Sequence, residues 1–106
     1  MAADIFGALG DPTRRNLYRT LATSGPVTAT TLASNMDITR QAVAKHLGVL
    51  AEAGMATSER VGRETRFEAK LDPLSEVSQW IREIEGQWDD RLGALAASLA
   101  PKDAPQ

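Results

Sequence analysis

The sequence predicts a mainly α domain of about five helices with one small β-hairpin, on three observations. Apolar residues recur every three or four positions through most of the chain. That period switches to two over residues 65–71, where Phe67, Ala69 and Leu71 alternate with Arg66, Glu68 and Lys70. It then returns for one long run over residues 73–100.

Residues 4–9 read as a short helix with Ile5, Phe6 and Leu9 on one side. Asp11-Pro12 starts the second helix: the carboxylate accepts from free backbone N–H groups, and proline fits the first helical position. Leu17, Tyr18 and Leu21 form its apolar stripe, with Arg14, Arg15 and Arg19 mostly elsewhere, and Ser24-Gly25-Pro26 ends it. Thr28 caps a third helix that turns Leu32, Ala33 and Met36 inward. After the Asp37-Ile38 turn, Thr39 caps a fourth over residues 40–53. Ala42, Val43, Leu47 and Leu50 keep a 3.6-residue period there, and Gly54 stands where a helix end needs a left-handed residue. Residues 55–61 form a weaker strand, joined to residues 65–71 by a Gly62-Arg63-Glu64 turn.

Asp72-Pro73 opens the last helix. Leu74, Val77, Ile81, Ile84, Trp88, Leu92, Leu95 and Leu99 follow at spacings of three or four, with Trp80 close to the same stripe. At 1.5 Å per residue this helix spans roughly 42 Å, more than a small domain can cover. Its stripe is expected to meet a second copy of itself. The competing reading folds the helix back onto its own core.

The chain has 106 residues, enough for one domain with a thin core, so subunit contact would add needed burial. Residues 1–100 are read as one domain and residues 101–106 as a disordered tail. There is no cysteine, which excludes disulfides and thiolate metal sites. No apolar run approaches the roughly 18 residues of a membrane span, and the start lacks signal-peptide character, so a cytoplasmic protein is expected.

Net charge is −2, but its distribution is uneven: residues 1–38 sum to zero, 39–70 to +2 and 71–106 to −4. The chain has the element order of a winged helix-turn-helix, in which the second helix of the pair enters the major groove, and the basic third holds that second helix and the hairpin. Its helix offers Thr39, Arg40, Gln41, Lys45 and His46 outward. Arginine and lysine donate to guanine O6 and N7, glutamine pairs with adenine N6 and N7, and small Ala42 permits close docking. The hairpin gathers Arg60, Arg63 and Arg66 around Gly62, suited to phosphate or minor-groove contact.

Catalysis finds no support: there is no cysteine, no glycine-rich phosphate loop and no second histidine. His46 lacks neighbours for a zinc site, so no metal and no cofactor are expected. The reading is a double-stranded DNA-binding regulator. The alternative is a winged-helix protein-interaction module without DNA binding: the net charge of −2 keeps it open, and the Thr39-Arg40-Gln41 and Arg63-Arg66 groups favour DNA.

Ala8-Leu9-Gly10-Asp11-Pro12-Thr13-Arg14-Arg15 resembles the N-terminal signature of the ArsR family of winged-helix repressors. Leu32-Ala33, the run Ile38-Thr39-Arg40-Gln41-Ala42-Val43-Ala44-Lys45-His46-Leu47, and Leu50-Ala51-Glu52-Ala53-Gly54-Met55 are similar to its helix-turn-helix and following strand. Gly62-Arg63 and Phe67 sit where its wing lies, and the likeness covers about residues 4–100. The resemblance implies a homodimer built from the first and last helices, with Ile5, Phe6, Leu9, Val77, Trp80, Ile81, Ile84, Trp88, Leu92 and Leu95 in the interface. It also implies repression from a palindromic operator. Many members sense metal through a Cys-x-Cys motif in the helix before the recognition helix, or through histidines and carboxylates on the last helix, where this chain has Asp72, Glu76, Asp89 and Asp90. This chain has Thr30-Thr31-Leu32-Ala33-Ser34 and no histidine at those places, and so resembles the metal-independent branch. The release signal is left open between a small-molecule effector, a protein effector and no effector at all.

Overall fold

The computed structural model describes residues 4–99, which fall into two compact units, 4–75 and 76–99. The tail expected to be disordered, 101–106, lies outside the described residues. The chain runs α1 (Ile5–Ala8), α2 (Pro12–Ser24), β1 (Val27–Thr28), α3 (Ala29–Met36), α4 (Arg40–Glu52), β2 (Ala56–Val61), β3 (Glu64–Ala69) and α5 (Leu74–Leu99). This is the winged helix-turn-helix order the sequence predicts.

Short-range chemistry sets the helix ends. Asp11 Oδ1 accepts from the N–H of Thr13 at 2.7 Å and of Arg14 at 3.4 Å, with Pro12 at the first helical position. Thr28 Oγ1 accepts from Thr31 N–H at 3.2 Å, and Thr39 Oγ1 from Ala42 N–H at 3.1 Å. Between α3 and α4, Asp37 takes the left-handed conformation, φ 55°, which aspartate tolerates better than most residues. Past α4, Gly54 has φ 76°; its N–H bonds Ala51 O at 3.0 Å while Met55 N–H bonds Leu50 O at 2.8 Å. This is a complete Schellman end, and Met55 and Leu50 are both fully buried beside it.

The Thr13 hydrogen bond, partly opposed by desolvation, holds the Asp11 carboxyl below its ordinary 3.8. A carboxylate with a depressed pKa stabilises the fold above its unfolded value, and that contribution disappears as pH falls through the folded one. Asp11→Ala is therefore expected to melt below wild type near neutral pH, with the gap closing under about pH 4. A gap that stays constant in a calorimetric pH series would show that the charge plays no part in the cap.

The sheet holds one strand more than the predicted hairpin. Its order is β1-β3-β2, antiparallel throughout, with Val27 opposite Phe67 and Thr28 opposite Arg66. Val61 pairs with Glu64, so only Gly62 and Arg63 connect β2 to β3. Gly62 has φ 63° and Arg63 does not have positive φ, the pattern of a type II′ turn, which takes glycine first.

The core of the first unit is built from Leu17, Tyr18, Leu21, Leu32, Val43, Leu47, Leu50 and Met55, with Ile5, Leu9, Phe67 and Leu74 packed at its margin. The Tyr18 hydroxyl donates to Lys70 O at 2.7 Å, tying α2 to the end of the wing. Burial, with Asp72 adding to it, raises the Tyr18 pKa above 10.0, so the phenol stays a donor.

The second unit is the remainder of α5. None of its residues is buried: Ile84 is 42% exposed, Trp88 57%, Leu92 53% and Leu95 55%. Spacing on a 3.6-residue helix puts Val77, Trp80, Ile81, Ile84, Trp88, Leu92, Leu95 and Leu99 within about 120° of arc.

Candidate nucleic-acid interface

Two helices and the wing position the candidate residues in the first unit. Val43, Leu47 and Leu50 anchor α4 in the core, which turns Arg40, Gln41, Ala44, Lys45 and Gly48 to solvent. Thr39 precedes them as the exposed cap, and Ala42 lies half-buried on the flank. Gly48 has open space where a side chain would project, and glycine inside a helix costs about 1 kcal/mol against alanine. Packing within the subunit gives no reason for it.

Arg40 and Ala44 form one wall of a groove of about 610 Å³. Arg60, Arg63, Thr65 and Phe67 of the wing form the opposite wall, and Thr28 to Thr31 at the start of α3 close one side. Three arginines thus share the groove with one carboxylate, Glu64. The start of α3 brings the positive end of a helix dipole to that side, which favours anions. Arg60 Nε donates to Gly62 O at 3.3 Å, which holds that guanidinium beside the turn.

The third wing arginine is not with them. The register sets Arg66 opposite Glu59 and Arg60 opposite Thr65, so Arg66 and Arg60 lie on different faces of the hairpin. Arg66 Nη2 pairs with Glu64 Oε2 at 3.5 Å and borders a separate hollow with Thr57, Glu59 and Glu68. His46 also departs from the outward face. It is half-buried, with Nδ1 3.5 Å from Arg14 Nη1.

Sequence reasoning missed Thr30, Thr31 and Ala44 as parts of this surface. The signal for Ala44 was its position four residues after Arg40, one helical turn along. The threonines had none beyond their place at a helix start. Among the described residues no group of three His, Asp or Glu side chains could hold a metal ion, and no helix is long and apolar enough to cross a membrane.

Residues 9–59 match a family described as a helix-turn-helix domain. The HTH-type transcriptional regulator YuzN of Bacillus subtilis is 39% identical over 84 residues, 73% of this chain and 91% of that one. A solved ArsR-like transcriptional regulator from Rhodococcus sp. RHA1 superposes with a TM-score of 0.74 at 35% identity, covering 90% of this chain and 89% of that one. The chain belongs to the ArsR family of winged helix-turn-helix transcriptional regulators. A second relative, the transcriptional repressor SdpR of Bacillus subtilis, is 26% identical over 89 residues, 84% of this chain and 98% of that one. In this ArsR-family chain α3 and α4 are the helix-turn-helix, and β2 and β3 form the wing.

Proposed function

We propose that this ArsR-family protein is a sequence-specific repressor that binds a palindromic operator in the cytoplasm as a homodimer and has no catalytic role. The observation that carries the reading is the groove shared by Arg40, Arg60 and Arg63 beside the exposed face of α4. Gln41 and Lys45, with the first turn of α4, read base edges in the major groove. The groove takes the sugar–phosphate backbone, held by Arg60, Arg63 and the start of α3. Ala44 and Gly48 keep the middle of the reading face low, so the helix backbone approaches the base edges closely. Likeness to SdpR supports repression as the sign of regulation. The apolar arc of α5 joins two copies, with Ile5, Phe6 and Leu9 of α1 adding to the contact. Two α4 helices then reach successive major grooves about 34 Å apart.

The test is a binding titration at several salt concentrations. The probes are the duplex the protein selects from a randomised library and a scrambled duplex of equal length. Selection of a two-fold symmetric duplex is expected. No binding to any duplex at low salt, with dimer present, would overturn the reading and favour a protein-interaction module. Arg63→Ala should weaken both probes alike and reduce the slope of log affinity against log salt by about 0.9, one phosphate contact. Arg66→Ala should leave that slope nearly unchanged, since its guanidinium lies on the other face of the wing. If Arg66→Ala lowers the slope and Arg63→Ala does not, the backbone follows the opposite face of the hairpin.

A further inference from the structure

A guanidinium outside the groove joins three helices. The Arg14 side chain is only 19% exposed. Its Nε donates to Ala8 O at 2.8 Å and its Nη2 to Gly7 O at 3.3 Å. Its Nη1 faces His46 Nδ1 at 3.5 Å and Asp11 Oδ2 at 3.5 Å. Arg15 Nη1 adds a bond to Leu9 O at 2.6 Å. The carbonyls of Gly7, Ala8 and Leu9 lie at the end of α1; Gly7 O also accepts from Gly10 N–H at 3.2 Å, and a helix end of this kind carries partial negative charge. Arginine has five donors and no acceptor, so in the Arg14–His46 contact the accepting atom is His46 Nδ1.

Each nitrogen of Arg14 is thus engaged within the fold, and Arg14 is absent from the groove that holds the other arginines. The buried Val43, Leu47 and Leu50 hold α4 in the core and set which of its faces turns outward, and a polar contact can refine that rotation. A hydrogen bond to His46 is directional. Lys45, the residue before His46, and Arg40 and Gln41, one to two turns earlier, would swing together if α4 rotated.

We propose that Arg14 is a positioning residue for DNA reading: through His46 it fixes the rotation of α4 against the C-terminal end of α1, and it touches no DNA itself. This rests on the assignment of α4 as the reading helix. Of the two roles the sequence allows His46, a phosphate contact or a hydrogen bond bracing the helix, it selects the second.

The experiment uses the selected duplex and the salt series above, with sedimentation and melting recorded for each variant. Arg14→Ala and His46→Leu should each lower affinity about tenfold, the scale of one charge-assisted hydrogen bond, with dimer retained and the salt slope unchanged. The double variant should bind no worse than either single one, because the pair acts as a unit. His46→Asn, whose Oδ1 takes the place of Nδ1 as acceptor, should recover most of the loss. Arg14→Lys should not, because one ammonium cannot span the acceptors that the planar fork spans. Should Arg14→Ala fail to fold, His46→Leu against His46→Asn makes the same comparison.

A salt slope reduced by about 0.9 in Arg14→Ala would make Arg14 a phosphate contact and overturn the proposal. So would additive losses in the double variant, or a lowered melting temperature with affinity intact, which is a role in folding alone. A wild-type protein that selects no duplex fails at the first step and removes the DNA-reading assignment too. Failure confined to the variants removes only the role of Arg14.

Discussion

Sedimentation of a Trp88→Asp, Leu92→Asp double variant should show a monomer where the wild type shows a dimer. The argument begins with exposure. Seven large apolar side chains of α5 from Trp80 to Leu99 are each at least 42% exposed in the single chain. Fully burying one such side chain is worth about 1.5–3 kcal/mol. A continuous stripe of them is a poor solvent face and a good interface. Trp88 and Leu92 lie one turn apart near its middle, and the Arg91 guanidinium stands 5.8 Å from the Trp88 ring centre, a cation–π contact beside the stripe. In a two-fold interface each substitution occurs twice, so the variant places four carboxylates together in an apolar setting. Each buried charge without a partner costs several kcal/mol, more than the contact can return. The first unit keeps its own core, so circular dichroism should still report folded helices. Operator affinity should fall with the dimer, because a monomer engages one half-site. A variant that remains dimeric would show that another surface joins the subunits.

The parts of this fold that were legible in the sequence are those fixed within about four residues. Asp11, Thr28 and Thr39 cap helices because their oxygens reach backbone N–H groups two or three positions on. Gly54 ends α4 because only a local left-handed turn is required there. What escaped depends on partners distant in the chain. β1 has two residues and no period to read; it exists because Val27 meets Phe67 across the sheet. The split among the wing arginines depended on register. Alternation alone puts Arg66 and Phe67 on opposite faces, but the face of Arg60 follows only once the turn is known. The sequence reading gave the turn three residues, Gly62 to Glu64, whereas two suffice and Glu64 pairs with Val61. A slip of one residue exchanges the faces of a whole strand. His46 shows the same limit: its partner Arg14 lies thirty-two positions earlier, and neither residue signals the other.

Arg40→Ala and Gln41→Ala should separate reading from holding. Both residues are exposed in the first turn of α4, the part of a recognition helix that meets base edges. They differ in surroundings. Arg40 lines the groove with Arg60 and Arg63, whereas Gln41 does not border it. Gln41→Ala should therefore cost about 1–3 kcal/mol on the selected duplex and little on a scrambled one, with the salt slope unchanged. Arg40→Ala should cost a similar amount on the selected duplex, and some of that loss should persist on the scrambled one, because its charge is shared with the backbone groove. Adjacent helical residues point apart, so the two losses should add, to about 2–6 kcal/mol in the double variant. The decisive measurement is affinity for single base-pair variants of the selected duplex. Each substitution should flatten preference at one or two positions in each half-site and leave the rest of the profile as in wild type. A loss uniform over every position would mean that these side chains only neutralise phosphate. The reading face would then lie further along α4, at Lys45 and Gly48.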